Sequence, residues 1–374
     1  MIRVSARLAI TPDGLLENAL LHIEDGHIVS VSQGRGDVDF GDAILSPGYI
    51  DLHVHGGAGF DVMQASASEL EQFERHLAKH GVTSYLATTV TAPEDATLRA
   101  LESLGNAAKR ESAKGRSQLI GIHLEGPFLS HAKRGVHPPE CLRPADTKLF
   151  DRFYEAAGSA MKMMTFAPEL EGGVDFIRHA IARDVRVSLG HSNANWAEAQ
   201  AGIAAGAQTA THTFNAMRAL DHRDPGILGA VLSSDTLMAD IIADGVHVHP
   251  EMVKLFLNAK TDERAMLITD GLSAAGMGDG TYHLGEMEVV VKGDRCEHNG
   301  TLAGSVLTLD KAVRNAAKFS GWAIPRAAKL ASTNPARMLG RNDLGAIRPG
   351  ARADLTVLSP GGEVRATIVA GMVQ

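Results

Sequence analysis

Cysteine is scarce in this sequence, and long apolar runs are lacking. The two cysteines, Cys141 and Cys296, lie far apart and form no Cys-x-x-Cys motif, which argues against a disulfide framework and favours a reducing compartment. No apolar run reaches the length of about 18 residues that a transmembrane helix needs,. The first residues carry Arg3, Arg7 and Asp13 in place of the apolar core of a signal peptide,. We therefore expect a cytoplasmic protein that does not insert into membranes.

Positive charge is also in short supply. The 374 residues include 36 lysines and arginines against 44 aspartates and glutamates, which gives a formal net charge of -8. This balance argues against nucleic-acid binding, although a pocket on an acidic protein can still attract a small anion. With 44% hydrophobic and 21% charged residues, the chain is typical of a globular protein that holds a barrel of about 250 residues and one smaller domain.

Both ends of the chain have strand-like patterns. Residues 19–23 and 27–31 flank the turn Glu24-Asp25-Gly26, which predicts a β-hairpin,. Residues 354–358 and 366–370 flank the turn Gly361-Gly362 in the same way. We therefore predict that residues 1–46 and 345–374 are the two parts of one small β-domain.

The intervening residues, 47–344, alternate between buried-strand and helix patterns. Amphipathic spacing predicts helices at 69–80 and 195–205, and the Asn299-Gly300 turn indicates an inserted β-hairpin near 282–304,. Such alternation favours an α/β fold with a parallel sheet, and eight units favour a closed (β/α)8 barrel over an open doubly wound sheet. Eight strand candidates begin at about Tyr49, Ser84, Leu119, Met161, Arg186, Gln208, Thr236 and Ala265.

Histidines and carboxylates follow these strand candidates. His53-Val54-His55 would place two imidazoles on one side of a strand, but a second pair, His247 and His249, shows that the spacing alone is weak evidence. The position of these residues at strand ends strengthens the evidence, because a barrel brings the carboxyl ends of all its strands to one rim. Five strand ends carry such residues, namely His53 with His55, His123 with Glu125, His191, His212, and Asp270.

This set predicts a divalent metal site. Imidazole and carboxylate ligands suit zinc best here, with iron, manganese or cobalt as alternatives. Glu125, His191 and His212 would hold one ion, while His53 and His55 could hold a second that Glu125 bridges. A bound ion would activate water, and Asp270 would be its acid/base partner. The alternative for Asp270 is a helix N-cap or a purely metal-binding role.

Two terminal motifs resemble signatures of the amidohydrolase superfamily. They are Pro47-Gly48-Tyr49-Ile50-Asp51-Leu52-His53-Val54-His55-Gly56 and Gly345-Ala346-Ile347-Arg348-Pro349-Gly350-Ala351-Arg352-Ala353-Asp354-Leu355. Four internal motifs, at 123–128, 190–194, 211–217 and 243–247, resemble the N-acetylglucosamine-6-phosphate deacetylases within it. The resemblance covers nearly the whole chain and implies a TIM-like barrel with a small β-sandwich domain built from both ends. Glu125 matches the glutamate of this group, where many other amidohydrolases have a carboxylated lysine.

The resemblance also implies a reaction. The acetamide of N-acetyl-D-glucosamine 6-phosphate would be hydrolysed to D-glucosamine 6-phosphate and acetate, in amino-sugar catabolism or recycling. Metal-activated water would attack, with Asp270 as acid/base and His137 polarising the acetyl carbonyl. Glu125, His191 and His212 would be the principal metal ligands. Because the chain keeps His53 and His55, where some members have Gln and Asn, one or two ions per subunit are expected.

The same resemblance implies how the substrate is held. Asn215, the backbone of Ala216 and His247 would bind the sugar phosphate, together with His137 at the acetyl group. Arg223 would reach the active site of the neighbouring subunit, which implies a homodimer. Alternatives are an ordinary surface position for Arg223 and structural roles for His137 and His247.

Other functions remain open at this stage. The substrate could be N-acetylgalactosamine 6-phosphate or a cyclic amide. A non-catalytic amidohydrolase-like scaffold is a third alternative, against which the complete set of metal-binding residue types argues.

Overall fold

The computed structural model describes residues 2–110 and 115–374. The amino-terminal strands are β1 (Ile2–Thr11), β2 (Gly14–Glu24), β3 (His27–Gln33), β4 (Val38–Asp39) and β5 (Ile44–Pro47). The central elements are β6 (Tyr49–Val54), β7 (Gly56–Gly57), β8 (Phe60–Asp61), α1 (Ala67–Lys79), β9 (Val82–Thr89), α2 (Glu94–Ala107), β10 (Gln118–Glu125), α3 (Thr147–Ala156), β11 (Met161–Phe166), α4 (Gly173–Ile181), β12 (Arg186–Leu189), α5 (Trp196–Ala204), β13 (Thr209–Ala210), α6 (Gly226–Ser233), β14 (Ala239–Ile242), α7 (Pro250–Arg264) and β15 (Ala265–Ile268). The remaining elements are β16 (Gly280–Leu284), β17 (Met287–Lys292), β18 (Arg295–His298), β19 (Thr301–Leu302), α8 (Leu309–Ser320), α9 (Ile324–Ala328), α10 (Thr333–Met338), β20 (Leu355–Leu358), β21 (Val364–Val369) and β22 (Met372–Val373).

Strands from both chain ends share one eight-stranded sheet. The two predicted hairpins are confirmed, because β2 pairs antiparallel with β3 and β20 pairs antiparallel with β21. Asp25 and Gly26 connect the first pair with φ of 49° and 76°, the left-handed backbone that a tight hairpin turn requires. The ends of the chain meet where β20 runs antiparallel to β5, with Leu355 opposite Pro47. Both ends of the chain therefore contribute strands to one sheet.

Eight parallel strands follow one another in sequence order. Six of them, β6 and β9 to β13, form one sheet, and β14 pairs with β15. The amide of Thr213 donates to the carbonyl of Asp240 at 2.9 Å, linking the sixth strand to the seventh. The amide of Asp270 donates to the carbonyl of His53 at 2.9 Å, which sets the eighth strand beside the first. The strands begin within three residues of the predicted positions, and the largest difference is Ala239 against Thr236.

Helices pack around the parallel strands. Ser66 caps α1 in a capping box with Glu69, and Asn195 caps α5 in the same way with Glu198,. The predicted helices 69–80 and 195–205 therefore exist and differ by up to two residues at their ends. Strands β6 and β9 are buried along their entire length, as expected of parallel strands that are covered on both faces. No helix that the structure describes has the length and apolar character needed to cross a membrane.

The insertion after β15 is larger than predicted. It contains four antiparallel strands, β16 to β19, rather than a single hairpin. The predicted turn is present, with φ of 50° at Asn299 and 78° at Gly300, but a further turn at Gly285 adds a strand pair. Leu284 and Val289 of the insertion pack with Val90 and Leu272. The insertion thereby sits over the carboxyl ends of β9 and β15.

Candidate active site

The predicted metal-binding residues lie at the carboxyl ends of the parallel strands. His53 is on β6, Glu125 ends β10, and three further side chains come two residues after their strands, namely His191, His212 and Asp270. These three have φ of 47°, 29° and 51°. Left-handed backbone costs a residue other than glycine about 1–3 kcal/mol and persists only where the surroundings enforce it. The fold therefore enforces this conformation at three side chains that face one another.

One group of donors forms around Glu125. Its Oε1 is 3.1 Å from Nε2 of His212 and 3.2 Å from Nε2 of His191. The two Nε2 atoms are 3.1 Å apart. All three residues are buried. This is the set of three protein ligands predicted for the principal metal ion.

A second group adjoins it. Nε2 of His53 and Nε2 of His55 are 3.1 Å apart, and Oδ1 of Asp270 is 3.1 Å from Nε2 of His55. The Oε2 atom of Glu125 is 3.4 Å from Nε2 of His55. Glu125 thus faces both groups, and Asp270 joins the histidine pair, in line with the metal-binding role that the sequence left as its alternative.

Hydrogen bonds orient the imidazoles of both groups. Nδ1 of His55 donates to the carbonyl of Thr88 at 3.0 Å, and Nδ1 of His191 donates to the carbonyl of Lys133 at 2.9 Å. Because a carbonyl only accepts, Nδ1 holds the proton and the Nε2 lone pair points into the cluster. Lone pairs and carboxylate oxygens that converge in this way repel one another unless a cation lies between them. The residues present therefore fit a divalent metal ion.

The electrostatics of the cluster agree with that fit. Burial lowers the pKa of His55, but hydrogen bonds and charges of Asp270 and Glu125 outweigh it and raise the pKa to about 10. Burial raises the pKa of Glu125, yet the surrounding histidines bring it well below its usual range. The buried carboxylates of Glu125 and Asp270 therefore give the cluster a negative charge, and this charge attracts cations.

His123 is separate from this cluster. Its Nδ1 donates to the carbonyl of Leu52 at 3.0 Å, and its Nε2 is 2.8 Å from Oγ1 of Thr165. Both ring nitrogens are thus engaged within the protein. Of the strand-end residues that the sequence grouped together, His123 is the one that the structure assigns to packing.

A cavity of about 260 Å³ opens above the donors. Its walls include four residues predicted to hold substrate, which are His137, Asn215, Ala216 and His247. The opposite wall comes from the insertion, through Leu284, Thr301 and Leu302, and the sequence did not indicate this contribution. Arg223 lies outside the cavity on an exposed loop, and no lysine or arginine of the described residues lines it.

His247 is held by a neighbour that the sequence argument missed. Its Nδ1 donates to Oδ2 of Asp244 at 2.7 Å, and the backbone amides of Val246 and His247 donate to Oδ1 at 2.8 Å each. Burial lowers the pKa of His247, but the hydrogen bond and charge of Asp244 outweigh it, so that the pKa is raised. The imidazole on the cavity wall therefore keeps its positive charge to a higher pH than an isolated histidine would. The only sequence signal for Asp244 was its place in the 243–247 motif.

His137 also has a neighbour, Thr91, that orients its ring. Its Nδ1 is 2.7 Å from Oγ1 of Thr91, and the backbone amide of Thr91 donates to the same nitrogen at 3.3 Å. Its Nε2 is 3.6 Å from Oε2 of Glu125, next to the metal-binding donors. Burial lowers the pKa of His137 to about 3, so the ring stays neutral. No sequence pattern pointed to Thr91.

Comparisons with known proteins identify a family and several related deacetylases. The profile of a family described as "Amidohydrolase family" matches residues 44–373. The chain is 40% identical to the N-acetylgalactosamine-6-phosphate deacetylase of Escherichia coli O157:H7, over 98% of the chain and 97% of that relative. It is 37% identical to the N-acetylglucosamine-6-phosphate deacetylase of Bacillus subtilis, over 97% of the chain and 94% of that relative. Its fold is similar to a solved mutant N-acetyl-D-glucosamine-6-phosphate deacetylase from Mycobacterium smegmatis in complex with N-acetyl-D-glucosamine-6-phosphate, with a TM-score of 0.94, 33% identity, and coverage of 99% of this chain and 98% of that one.

Proposed function

This chain belongs to the amidohydrolase family, and from that premise we propose that it hydrolyses the acetamide of N-acetyl-D-glucosamine 6-phosphate to D-glucosamine 6-phosphate and acetate. The observation that carries the proposal is the convergence of the Glu125-centred donors, His137 and His247 on one cavity. The Glu125-centred donors serve amide hydrolysis, His137 suits a carbonyl oxygen, and His247 suits a phosphate.

The donor set fits a divalent metal ion. Glu125, His191 and His212 would hold one ion, and His53, His55 and Asp270 would hold a second that shares Glu125. Nitrogen and oxygen donors at a buried site favour zinc, with iron, manganese or cobalt as alternatives. When bound, such an ion lowers the pKa of water and polarises a carbonyl.

Asp270 handles the proton in this proposal. Its carboxylate lies on the cavity wall and remains slightly exposed to it. It takes a proton from the attacking water and delivers it to the departing amine of the sugar. General acid–base catalysis of this kind contributes about 10²–10⁴-fold.

His137 serves the acetyl oxygen. The ring is neutral and buried, and its Nε2 faces the donors at the cavity floor. An N–H in that position donates to the carbonyl oxygen as negative charge develops on it. A donor of this type contributes about 10²–10³-fold to kcat.

His247 and Asn215 serve the phosphate, together with the backbone of Ala216. The raised pKa of His247 supports a charged donor there. One imidazolium does not neutralise a phosphate dianion, and no lysine or arginine of the described residues lines the cavity. We therefore propose that Arg223 of a second subunit completes the site, in a homodimer. Arg223 suits that task because it lies on an exposed loop, where Oδ1 of Asp221 accepts its amide N–H at 2.8 Å.

The domain layout belongs to the same proposal. Residues 47–344 would form a closed (β/α)8 barrel, and residues 1–46 with 345–374 a small β-sandwich domain. The strand order and the hydrogen bond between Asp270 and His53 support closure. The two buried, unpaired cysteines support a reducing, cytoplasmic location,.

A second candidate is the epimeric substrate, N-acetylgalactosamine 6-phosphate. The 40% identity to the Escherichia coli deacetylase with that name favours it. The acetamide and the phosphate are the same in both sugars, so every role described above would be unchanged. The epimers differ only at one ring hydroxyl.

The test is acetate release by the purified protein with its metal content measured. N-acetylglucosamine 6-phosphate, N-acetylgalactosamine 6-phosphate and N-acetylglucosamine would be compared at equal concentrations. We expect release from the first at the highest kcat/KM, little from the unphosphorylated sugar, and loss of release after chelation. Higher kcat/KM for the galactose epimer would favour the second candidate. No release from any sugar by metal-loaded protein would disprove both and direct attention to cyclic amides or a scaffold role.

A further inference from the structure

Two hydrogen-bonding groups of Thr91 converge on one nitrogen of His137. Oγ1 of Thr91 is 2.7 Å from Nδ1, and the amide nitrogen of Thr91 is 3.3 Å from the same atom. Thr91 follows the end of β9 and is buried. We propose that Thr91 is a positioning residue that sets the tautomer of His137, so that Nε2 carries the proton. The inference rests on the proposed function, in which that proton faces the acetyl oxygen.

The backbone of Thr91 decides the tautomer. An amide N–H can only donate, so Nδ1 must accept and carries no proton. In a neutral imidazole the proton then resides on Nε2, which faces the cavity. The opposite tautomer would set the Nδ1–H of His137 against the buried amide of Thr91 and leave that amide without an acceptor, which is unfavourable. Oγ1 of Thr91, which lies 2.7 Å from Nδ1, contacts the same nitrogen and helps to hold the ring in place.

The placement of the proton on the His137 ring is the reverse of that on the metal-facing histidines. Nδ1 of His191 and Nδ1 of His55 each donate to a backbone carbonyl, so their Nε2 lone pairs face inward. Nδ1 of His137 instead meets an amide, so its Nε2–H faces inward. The backbone group behind the ring therefore distinguishes His191 and His55, as ligand histidines, from His137, as a donor histidine.

Thr91 lies close to the end of the strand that carries Glu125. A Cβ added at Gly126 would lie 1.8 Å from Oγ1 of Thr91, and Gly126 has φ of +79°. Only glycine leaves room for the hydroxyl there. A side chain at Gly126 would therefore displace the hydroxyl of Thr91 from its position beside His137.

Thr89 supplies a matched control. It is also buried, lies two residues earlier, and its Oγ1 has no hydrogen-bond partner among the described residues. Thr89→Val and Thr91→Val therefore remove the same atom from neighbouring sites. Thr91→Ser keeps the hydroxyl and serves as the conservative rescue.

The experiment combines kinetics with a spectrum of the imidazole. For Thr91→Val we expect kcat to fall about 10-fold or more, with KM within about twofold, because the donor remains but its orientation loosens. The kcat of Thr91→Ser and the kcat of Thr89→Val should each stay within about threefold of the parent value. In a His137→Gln background, Thr91→Val should not lower kcat further, since the side chain through which Thr91 acts is absent.

The spectrum reads the tautomer directly. Metal-loaded protein labelled with ¹⁵N-histidine would be compared with His137→Gln to assign His137, and we expect an unprotonated Nδ1 and a protonated Nε2. A protonated Nδ1 in the parent protein overturns the inference, whether or not any variant folds. Equal kcat for Thr91→Val and Thr89→Val overturns the positioning role of the Thr91 side chain, as does a loss of activity in Thr91→Val explained by lost metal. If the parent releases no acetate from either sugar phosphate, the proposed function fails, while the spectrum still decides the tautomer.

Discussion

Asp244 and His247 form a buried pair on the cavity wall, with Oδ2 of Asp244 accepting the Nδ1–H of His247 at 2.7 Å. The same carboxylate accepts two backbone amides of the following turn. A carboxylate fixed in this way cannot turn away from the imidazole, so it keeps His247 protonated at a higher pH than an isolated histidine. The pair thus extends the pH range over which this wall of the cavity carries a positive charge.

The first prediction concerns the pH dependence of KM for the sugar phosphate. The pKa of His247 is raised, so the imidazole is charged below that pKa and loses its charge as the pH rises through it. We expect KM to rise over that window. In Asp244→Asn no carboxylate opposes the effect of burial on His247, so the pKa of His247 falls. The rise in KM should then occur at lower pH, with KM about 10-fold higher near neutral pH.

Asp175→Asn is the control for this experiment, because Asp175 is an exposed carboxylate on α4. The phosphate of the substrate titrates near pH 6 in every variant, so the informative quantity is the difference between the two profiles. Identical KM profiles for Asp244→Asn and Asp175→Asn would show that His247 does not bind the phosphate as a cation.

The second prediction separates the two tasks of Asp270. Its carboxylate lies with His53 and His55, while the donors around Glu125 are complete without it. Asp270→Asn should therefore retain about one ion per chain and lower kcat by about 10²–10⁴-fold. Metal analysis and kcat on the same sample would check this. Near-normal kcat in the metal-loaded variant would remove Asp270 from the proton-transfer step.

The third prediction concerns the sharing of Glu125. Because one oxygen lies near His212 and the other near His55, Glu125→Gln should weaken metal binding at both groups. His55→Gln should weaken only the second group. Metal titration of the stripped proteins would measure this. Equal losses of metal in the two variants would contradict the bridging position of Glu125.

The fourth prediction tests the proposed contribution of Arg223 to a neighbouring site. Arg223→Ala should raise KM for the sugar phosphate by about 10-fold or more, since a charge-assisted contact is lost. Arg178→Ala, at an exposed position on α4, should leave KM unchanged.

Mixed dimers make this test decisive. A dimer of one Arg223→Ala chain and one Asp270→Asn chain contains a site with both groups intact only if Arg223 acts across the interface. Mixing the two variants should then restore activity with a normal KM. If Arg223 acts within its own subunit, the mixture would show no such site.

Local patterns determined much of the fold from the sequence. The Asp25-Gly26 and Asn299-Gly300 turns are short-range signals, since their conformations depend on the residues themselves. The strand starts follow from apolar runs bounded by glycine, and seven of the eight lie within two residues of the expected position. Strand Ala239–Ile242 begins three residues late, because the preceding segment is also apolar enough to be included.

The donor set was only partly determined in this way. The sequence identified which residue types follow each strand, and these side chains do converge. It also grouped His123 with Glu125, because both residues end the same apolar run. The structure places His123 one layer deeper, where Leu52 and Thr165 use both of its nitrogens. Depth along a strand depends on the neighbouring strands, which no local pattern contains.

The partners behind the donors were decided by the tertiary structure alone. Thr91 meets His137 across 46 residues of chain, and the insertion that covers β15 supplies a wall of the cavity. The sequence by itself determined the elements and the chemical types at their ends, because those depend on residues close in the chain. The proton of His55 and of His191 is placed on Nδ1, and that of His137 on Nε2, by the backbone group that folding brings behind each of these rings. That group is set by long-range packing.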